Sequence, residues 1–488
     1  MLSRVTRIGL DQHKKNAAVT ERIAARNCAG VDMSELGFDA DITAAALEGS
    51  VRDYRVTVGP DLVGRTRDFY QWQDLRRRQG LWPYARSTAS APLTHCAALT
   101  DDGRKFTGVN FASQDYLGLS SHPHIKEVAI EAIRRYGVHS AGSAALLGNT
   151  ANSLSLERGL SDFLGGREIV LYPIGWGAGY GAIQGFVRPH DHVVMDILSH
   201  SCLQEGARAA TPNIHLHAHL NVESAARKLA QIRRKDRDAG IMVITESLFS
   251  MHSDVPDLKA LRAACDEYGA TLLVDCAHDL GSMGEDGLGN AGKYGMIEDA
   301  DLLVGSFSKS FASNGGFIAV RDKAAAEYLK YYSATHTFSN ALSPVQAATV
   351  SAALDIVRGE EGRALRKRLM DNILHLRDGV GRAGLEALGE PSPIVPVRVG
   401  GEALGRFVAR QLPLKGCVAN LVEYPAVARG DSRFRFQVMA SHGPADIDEA
   451  VSALGAAMLA GTVDLQRFER DRHATGAAEG KLDAVANG

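Results

Sequence analysis

Five short apolar runs, separated by helical stretches, constrain this chain more than any other feature. They occupy 168–172 (EIVLY), 192–195 (HVVM), 241–245 (IMVIT), 271–274 (TLLV) and 302–305 (LLVG). None alternates with polar residues, so each suits a strand buried on both faces. Stretches with helical periodicity lie between them, among them 222–235 and 258–268. Repeated strand–helix units close into a mostly parallel sheet with helices on both sides. The fold class is therefore α/β. In such a sheet, ligands gather beyond the carboxyl ends of the strands.

The rest of the chain divides around this core. Residues 1–95 are polar, with helical pieces at 42–47 and 69–78, and read as an N-terminal extension with linker helices. Phe69, Trp72 and Trp82 fit packing within that linker. Residues 33–40 (MSELGFDA) faintly resemble the approach to the attachment site of an acyl-carrier domain, with Ala40 where the serine is needed. An extension packed on the body or on a partner subunit is the simpler reading. The large sheet domain is expected over 96–345. A smaller α+β domain follows over 346–465, with a helix at 361–380, strands at 394–399 and 434–439, and a last helix at 446–459. Residues 466–488 are rich in Gly, Ala and charge and are expected to be a disordered tail.

Charge and cysteine usage exclude several function classes. With 54 basic and 57 acidic residues the net charge is -3, which gives no footprint for nucleic acid or an anionic membrane. The six cysteines form no CxxC pair and show no metal-ligand spacing with histidines, so no metal is expected. They read as reduced thiols of a cytoplasmic protein. No apolar stretch approaches 18 residues and no signal-peptide core is present, which predicts a soluble chain with no integral membrane segment.

Three motifs can carry chemistry. The first is Gly175-Trp-Gly-Ala-Gly-Tyr-Gly181, which follows a strand and opens a helix. Glycines there let backbone N–H groups close around a phosphate. The same run partly satisfies a dinucleotide fingerprint through Gly177, Gly179 and Ala182, with Asp196 as a candidate ribose ligand. It also fits a tight helix–strand contact that simply needs small residues. The second motif is Val274-Asp-Cys-Ala-His278. A carboxylate at a strand end can keep a pyridinium nitrogen protonated, and His278 can reach a ring substituent. An N-cap aspartate beside a packed histidine is the plainer alternative. The third is Gly305-Ser-Phe-Ser-Lys309-Ser-Phe-Ala-Ser-Asn-Gly-Gly316. Ser306 and Ser308 can hold a phosphate while Lys309 attacks a carbonyl, though a lone loop lysine is often only a surface residue. An NAD-dependent oxidoreductase uses the first motif and leaves the other two idle. Pyridoxal 5′-phosphate (PLP) uses all three, with Lys309 as its Schiff-base lysine.

At these motifs the chain resembles the α-oxoamine synthases among fold-type I PLP-dependent transferases. That family includes 8-amino-7-oxononanoate synthase, 2-amino-3-ketobutyrate CoA ligase, 5-aminolevulinate synthase and serine palmitoyltransferase. The resemblance runs from about Asn110 to Leu459. It rests on 110–119 (NFASQDYLGL), 198–201 (LSHS), 245–251 (TESLFSM), 274–278, 305–316, and Arg433-Phe-Arg435 with Ser441-His442 behind it. The lysine loop is closest to serine palmitoyltransferase. The resemblance implies that Lys309 carries PLP and moves the Cα proton, and that Asp275 pairs with the pyridine nitrogen. It implies that His278 and Ser250 sit at the phenolic oxygen and that His200 stacks on the ring. Gly175, Trp176 and Ser306 hold the phosphate, and Ser339 reaches it across a homodimer interface. Arg435 grips the amino-acid carboxylate, and Gln114 lies near the substrate. The implied reaction joins glycine, alanine or serine to an acyl thioester of CoA or acyl-carrier protein. Carbon dioxide is lost and an α-amino ketone forms.

The chain departs from the family pattern at Ala144, Ser153, Gln114 and Gly179, where acyl and amino-acid substrates are read. Three other readings remain open: an aminotransferase of the same fold, an NAD-dependent oxidoreductase using the 177–182 loop, and a silent subunit, against which Lys309 argues. Arg433 reads as a surface or salt-bridge residue, and His252 and His442 as structural. Trp176 fits either the core or a cofactor wall.

Overall fold

The computed structural model describes residues 38–39 and 41–486, with side chains through 474. Cys28 and most of the carrier-like segment 33–40 lie outside the described residues.

Helices α1 (Ala44–Leu47) and α2 (Arg67–Arg78) precede a hairpin region of β1 (Ser87–Thr88), β2 (His95–Leu99) and β3 (Lys105–Asn110). Helices α3 (Pro123–Tyr136) and α4 (Ala151–Phe163) lead into the main sheet. There β4 (Glu168–Tyr172), α5 (Gly175–Phe186), β5 (His192–Asp196), α6 (Ser201–Ala210), β6 (Ile214–His217) and α7 (Val222–Lys235) alternate. They are followed by β7 (Ile241–Glu246), α8 (Leu258–Tyr268), β8 (Thr271–Asp275), β9 (Leu302–Ser306) and β10 (Gly316–Val320). Helix ends are set by local chemistry. Asn221 caps α7 by accepting from Ser224 N at 2.7 Å, and Asp257 caps α8 at Ala260 N. Gly269 ends α8 with φ of 58°, a left-handed value that favours glycine.

The strand order is β4-β10-β9-β8-β7-β5-β6. Strands β5 to β9 pair parallel, whereas β10 is antiparallel to both β9 and β4. The sheet is thus mostly parallel with one reversed strand, and all of β7 is buried. Strands β6 and β10 are not among the five runs read from sequence. Ile214–His217 is half-buried and breaks the apolar pattern with two histidines. Gly316–Val320 directly follows a glycine pair that reads as loop.

After the sheet come α9 (Lys323–Tyr332), α10 (Ala334–Thr337), α11 (Pro344–Arg358) and the long α12 (Glu360–Arg382). Then β11 (Ile394–Gly400), α13 (Glu402–Gln411), β12 (Cys417–Val418), β13 (Asn420–Val422) and β14 (Ser432–Gln437) complete two small sheets. One has the order β1-β2-β3-β12 and the other β11-β14-β13. The last helix, α14 (Pro444–Ala486), corrects the expected end near Leu459 and the disordered tail from 466. Alanine and long charged residues are good helix formers. In addition, Leu465 and Phe468 pack against Ala46, Leu47, Leu81 and Phe407, so apolar burial carries the helix past the expected end.

The N-terminal segment is locked to the body. Trp72 is buried, and Arg76 lies 4.7 Å above its ring. Glu423, just beyond β13, accepts from Arg406 Nε at 2.7 Å and from Tyr84 Oη at 3.0 Å. Arg406 also donates to the carbonyls of Leu47 and Gly49. Among the described residues, no helix is long and apolar enough to cross a membrane.

Candidate active site

The parallel strands β4, β5, β7, β8 and β9 point the same way, so the segments that leave them lie along one edge of the sheet. Those segments carry Gly175 and Trp176, His200, Ser250, Asp275 and His278, and Ser306 and Lys309. Eight of the eleven candidate site residues are thereby gathered by topology alone. Arg435 comes from β14, Gln114 from the segment between β3 and α3, and Ser339 from the loop after α10.

Lys309 sits in the turn after β9. Among the described residues its amine has no carboxylate partner within ion-pair distance and no hydrogen bond. Burial holds it below the usual lysine range, while nearby Asp275 pulls it back up. A lysine kept closer to neutral is a better nucleophile and base. Asp275, at the end of β8, is buried, and one oxygen accepts from Ala277 N at 2.9 Å. Burial raises its carboxyl, and His200 and Lys309 lower it. Three charged or titratable groups, Lys309, Asp275 and His200, thus feel one another in a space poor in water, as functional sites commonly arrange.

His200 precedes α6, and its Nδ1 accepts from Cys202 N at 3.3 Å. Cys202 Sγ lies 2.9 Å from the same nitrogen, so the proton belongs on Nε2. The His200 backbone N–H donates to Glu246 Oε1 at 2.6 Å. Glu246 is buried, and desolvation together with Asp275 pushes its carboxyl well up, towards the neutral form. His278 Nδ1 is 2.9 Å from Tyr116 Oη. Burial lowers His278 well below the usual histidine range and raises Tyr116, so both are neutral at physiological pH. Tyr116, Glu246 and Cys202 were not singled out from sequence. Each acts through a neighbour, and only their presence inside the 110–119 and 245–251 motifs and beside His200 hinted at them.

The phosphate cradle expected at Gly175 has a physical basis. Helix α5 has no side-chain cap, so its first N–H groups are left for an acceptor. A Cβ on Gly175 would sit 2.4 Å from Ser306 Oγ, so only glycine lets these elements meet. Ser306 and Ser308 hydroxyls are 2.7 Å apart. Trp176 is 42% exposed and stacks on Tyr180, which removes it from the core.

The dinucleotide reading is overturned. Gly177, Gly179 and Ala182 lie inside α5, not in a loop. A Cβ at Gly179 would meet Cys202 Sγ at 2.6 Å, so that glycine serves helix packing. Asp196 is buried and taken up by His219 Nδ1 at 2.9 Å and by the N–H groups of Leu198 and Leu220. With three of its roughly four acceptor positions taken by the fold, Asp196 serves structure rather than a ribose.

The two arginines of the 433–435 motif separate sharply. Arg433 is fully buried, paired with Asp431 and bonded to Met251 O, which corrects the surface half of its reading. Arg435 has no carboxylate partner among the described residues. Its Nε is buried without an acceptor, and Nη1 reaches only Met251 Sδ at 3.9 Å. Such a guanidinium suits a carboxylate ligand. Gln114, Ser250 and Ser339 make no side-chain hydrogen bond among the described residues, which leaves them available. His442 is structural, holding Met439 N and Asn110 O. The residues present fit PLP: an unpaired amine, a buried carboxylate two strands from an uncapped helix start, and two neighbouring hydroxyls.

Behind His200, Asp196 and Asp254 flank His219 at 2.9 and 3.0 Å. Burial opposes its charge, but the two carboxylates outweigh burial and push His219 up to about 9. A folded value above the unfolded one of about 6.5 gives stability that is full below the latter and lost as pH rises through the former. The gap in thermal midpoint between the natural protein and His219→Gln is therefore expected to narrow as pH rises from about 7 to about 10. A gap that widens over that range would contradict the assignment.

Comparison with known proteins agrees with this geometry. The family described as aminotransferase class I and II matches residues 107–454. The chain is 32% identical over 450 residues to 4-hydroxy-2,2'-bipyrrole-5-methanol synthase PigH of a Serratia species, covering 88% of this chain and 67% of that protein. It is 32% identical over 378 residues to 8-amino-7-oxononanoate synthase of Geobacter sulfurreducens, covering 78% and 94%. Serine palmitoyltransferase of Sphingobacterium spiritivorum is 31% identical over 378 residues, covering 78% and 92%. A solved structure of SPT with a PLP internal aldimine superposes with a TM-score of 0.77 at 25% identity, covering 83% of this chain and all (100%) of that one.

Proposed function

Because the chain belongs to the class I and II aminotransferases, and among them to the α-oxoamine synthases, we propose that it joins a small amino acid to an acyl thioester. Glycine, alanine and serine are the candidate amino acids, and CoA or acyl-carrier protein is the candidate acyl carrier. The amino-acid carboxylate leaves as carbon dioxide, the thiol of the acyl donor is released, and an α-amino ketone remains. The observation that carries this reading is Lys309, unpaired beyond β9, with Asp275 close enough to act on its charge.

Bound at Lys309, PLP supplies an electron sink for the electron pair left at Cα. The chain's own groups do the rest. Lys309 takes the Cα proton and returns one after carbon dioxide departs. Asp275 holds a proton on the ring nitrogen. His200 covers a ring face and excludes water, its ring fixed by Cys202 and its backbone by Glu246. Ser250 and His278 stand at the phenolic oxygen, with His278 oriented by Tyr116. Gly175, Trp176 and Ser306 cradle the phosphate, Arg435 receives the carboxylate, and Gln114 borders the substrate.

The enzyme acts as a homodimer in this reading, with Ser339 reaching the partner's phosphate. Leu146, Leu147 and Phe338 are 86%, 89% and 86% exposed, and a Ser143–Asn340 bridge draws their loops together. An apolar patch of that kind fits a subunit contact. Five buried free cysteines among the described residues suit a reducing, cytoplasmic setting.

The test supplies the PLP-loaded protein with carboxyl-labelled glycine, alanine or serine. Labelled carbon dioxide is expected from one of them, and only when an acyl thioester is present. Amino transfer to a 2-oxo acid with the label retained would give the site to the aminotransferase reading, and release without thioester would make the reaction a simple decarboxylation; either result overturns the condensation.

A further inference from the structure

Away from the active site, a narrow cleft opens between the N-terminal segment, the β2–β3 hairpin and α13. It is built from an unusual set of donors. Trp82 Nε1, Arg86 Nε and Arg410 Nε are all buried and have no acceptor among the described residues. All three are N–H groups, and all three line this one cleft. Unpaired buried donors are costly, the more so on charged groups, and a well-formed fold seldom leaves several together.

The surrounding charges sharpen the point. Arg77 pairs with Asp101 at 2.5 Å, and Arg104 pairs with Asp102. Those two carboxylates are therefore spoken for. Arg86 and Arg410 have no carboxylate within ion-pair distance among the described residues. Arg410 is 8% exposed and donates to Asp39 O at 3.1 Å, while Asp464 acts on it only from farther away. Arg86 lies 5.3 Å over the Phe106 ring, and burial pulls it down to about 10, so it remains a cation at neutral pH. Gly80, at φ of 69°, closes the rear of the cleft. A Cβ there would press to 3.1 Å on Phe38 and 3.2 Å on Arg410 Nε. The chain thus keeps the unpartnered Nε groups of a buried Arg410 and a half-buried Arg86, whose Nη1 reaches Ala419 O at 3.5 Å, together with an indole N–H, around a space walled by aromatic rings.

We propose that this cleft binds a phosphate group, held by Arg86, Arg410 and Trp82 Nε1. Guanidinium pairs suit tetrahedral oxyanions, and the indole N–H adds a third, uncharged donor. The phosphate comes either as the free ion or as the terminal group of a nucleotide-type molecule, whose base the Phe106 and Trp82 rings can flank. The site is separate from the one for PLP. Strand β3 runs from Lys105 at the cleft to Asn110 beside the active-site segment, roughly 17 Å at the usual rise per residue. Bound phosphate would tie the N-terminal segment to α13, so its first consequence is stability.

The experiment uses the PLP-loaded protein, in which the catalytic phosphate cradle is filled. Inorganic phosphate, ADP and CoA are each titrated at constant ionic strength, with binding read by calorimetry and by thermal midpoint. At about 10 mM, at least one is expected to raise the midpoint by several degrees. In Arg86→Gln its affinity is expected to fall at least about tenfold. Trp82→Phe keeps an aromatic side chain without the N–H, and serves should Arg86→Gln not fold; a loss of about threefold to tenfold is expected. A response to inorganic phosphate assigns the free ion, and a response to ADP alone, or to CoA alone where Arg86→Gln or Trp82→Phe weakens it, assigns a nucleotide phosphate; CoA binding that both variants leave unchanged belongs to the condensation site and overturns a CoA assignment here. No binding by any of the three, or equal binding by the natural protein and both variants, overturns the proposal. Because the readout is binding, it is independent of whether the condensation reading holds.

Discussion

Lys309→Ala is expected to yield a folded protein that has lost the visible absorption band of lysine-attached PLP and turns over at least about 10³-fold more slowly. The natural protein should be yellow as purified or after incubation with PLP. The size of the effect follows from two losses at once. The variant has no amine to hold the cofactor covalently and none to move the Cα proton, and a positioned general base alone is worth about 10² to 10⁴. Folding should be spared, because the Lys309 amine makes no hydrogen bond or ion pair among the described residues. Removing a charge that burial already disfavours costs the fold little. Lys309→Arg keeps the charge without the nucleophile and should be equally colourless. A band that survives in Lys309→Ala would place the cofactor elsewhere and sink the assignment.

Why so much of this site can be read from the bare sequence is a matter of sheet topology. A strand buried on both faces has a recognisable run of apolar residues, and its carboxyl end is where the run stops. Asp275, Ser306 and Gly175 stand at or just beyond such stops, so their neighbourhood follows once the strands are accepted as parallel. Arg435 is harder, because its strand belongs to another sheet, and only the family resemblance, not the local pattern, separates it from Arg433 two residues away. The two differ only in what faces them: Asp431 and the Met251 carbonyl for one, no acceptor for the other. Support residues are harder still. Nothing local distinguishes Cys202 from any buried thiol, and its value lies in a 2.9 Å approach to His200 Nδ1. The glycines misled for a related reason. A helix that packs tightly and a loop that wraps a phosphate both demand small residues. Here Gly179 does the first, while Gly175 opens the helix hard against Ser306, where the proposed cradle lies. The terminal helix was expected to stop near 459 because the composition beyond it reads as solvated, whereas Leu465 and Phe468 find partners on the N-terminal segment far away in sequence.

Asp275→Asn is expected to lower kcat by about 10² to 10⁴ while leaving PLP bound and KM for the amino acid nearly unchanged. The carboxylate sits at the end of β8 with one oxygen fixed by Ala277 N, so its direction is set by the strand and the turn after it. A negative charge beside the ring nitrogen favours the protonated ring, and only the protonated ring withdraws the Cα electron pair strongly. Asparagine fills the same volume and keeps the bond to Ala277 N, but it cannot stabilise that proton. The loss should therefore fall on the chemical step, since Lys309, the phosphate cradle and Arg435 are untouched. Stability should stay level or rise, because burial already works against the Asp275 charge and a neutral amide escapes that penalty. The paired readings matter more than either alone. A drop in kcat with an unchanged or higher thermal midpoint marks Asp275 as an electronic partner of the cofactor. A fall in kcat that tracks a fall in midpoint and in PLP retention would instead make it a structural residue that caps its own turn.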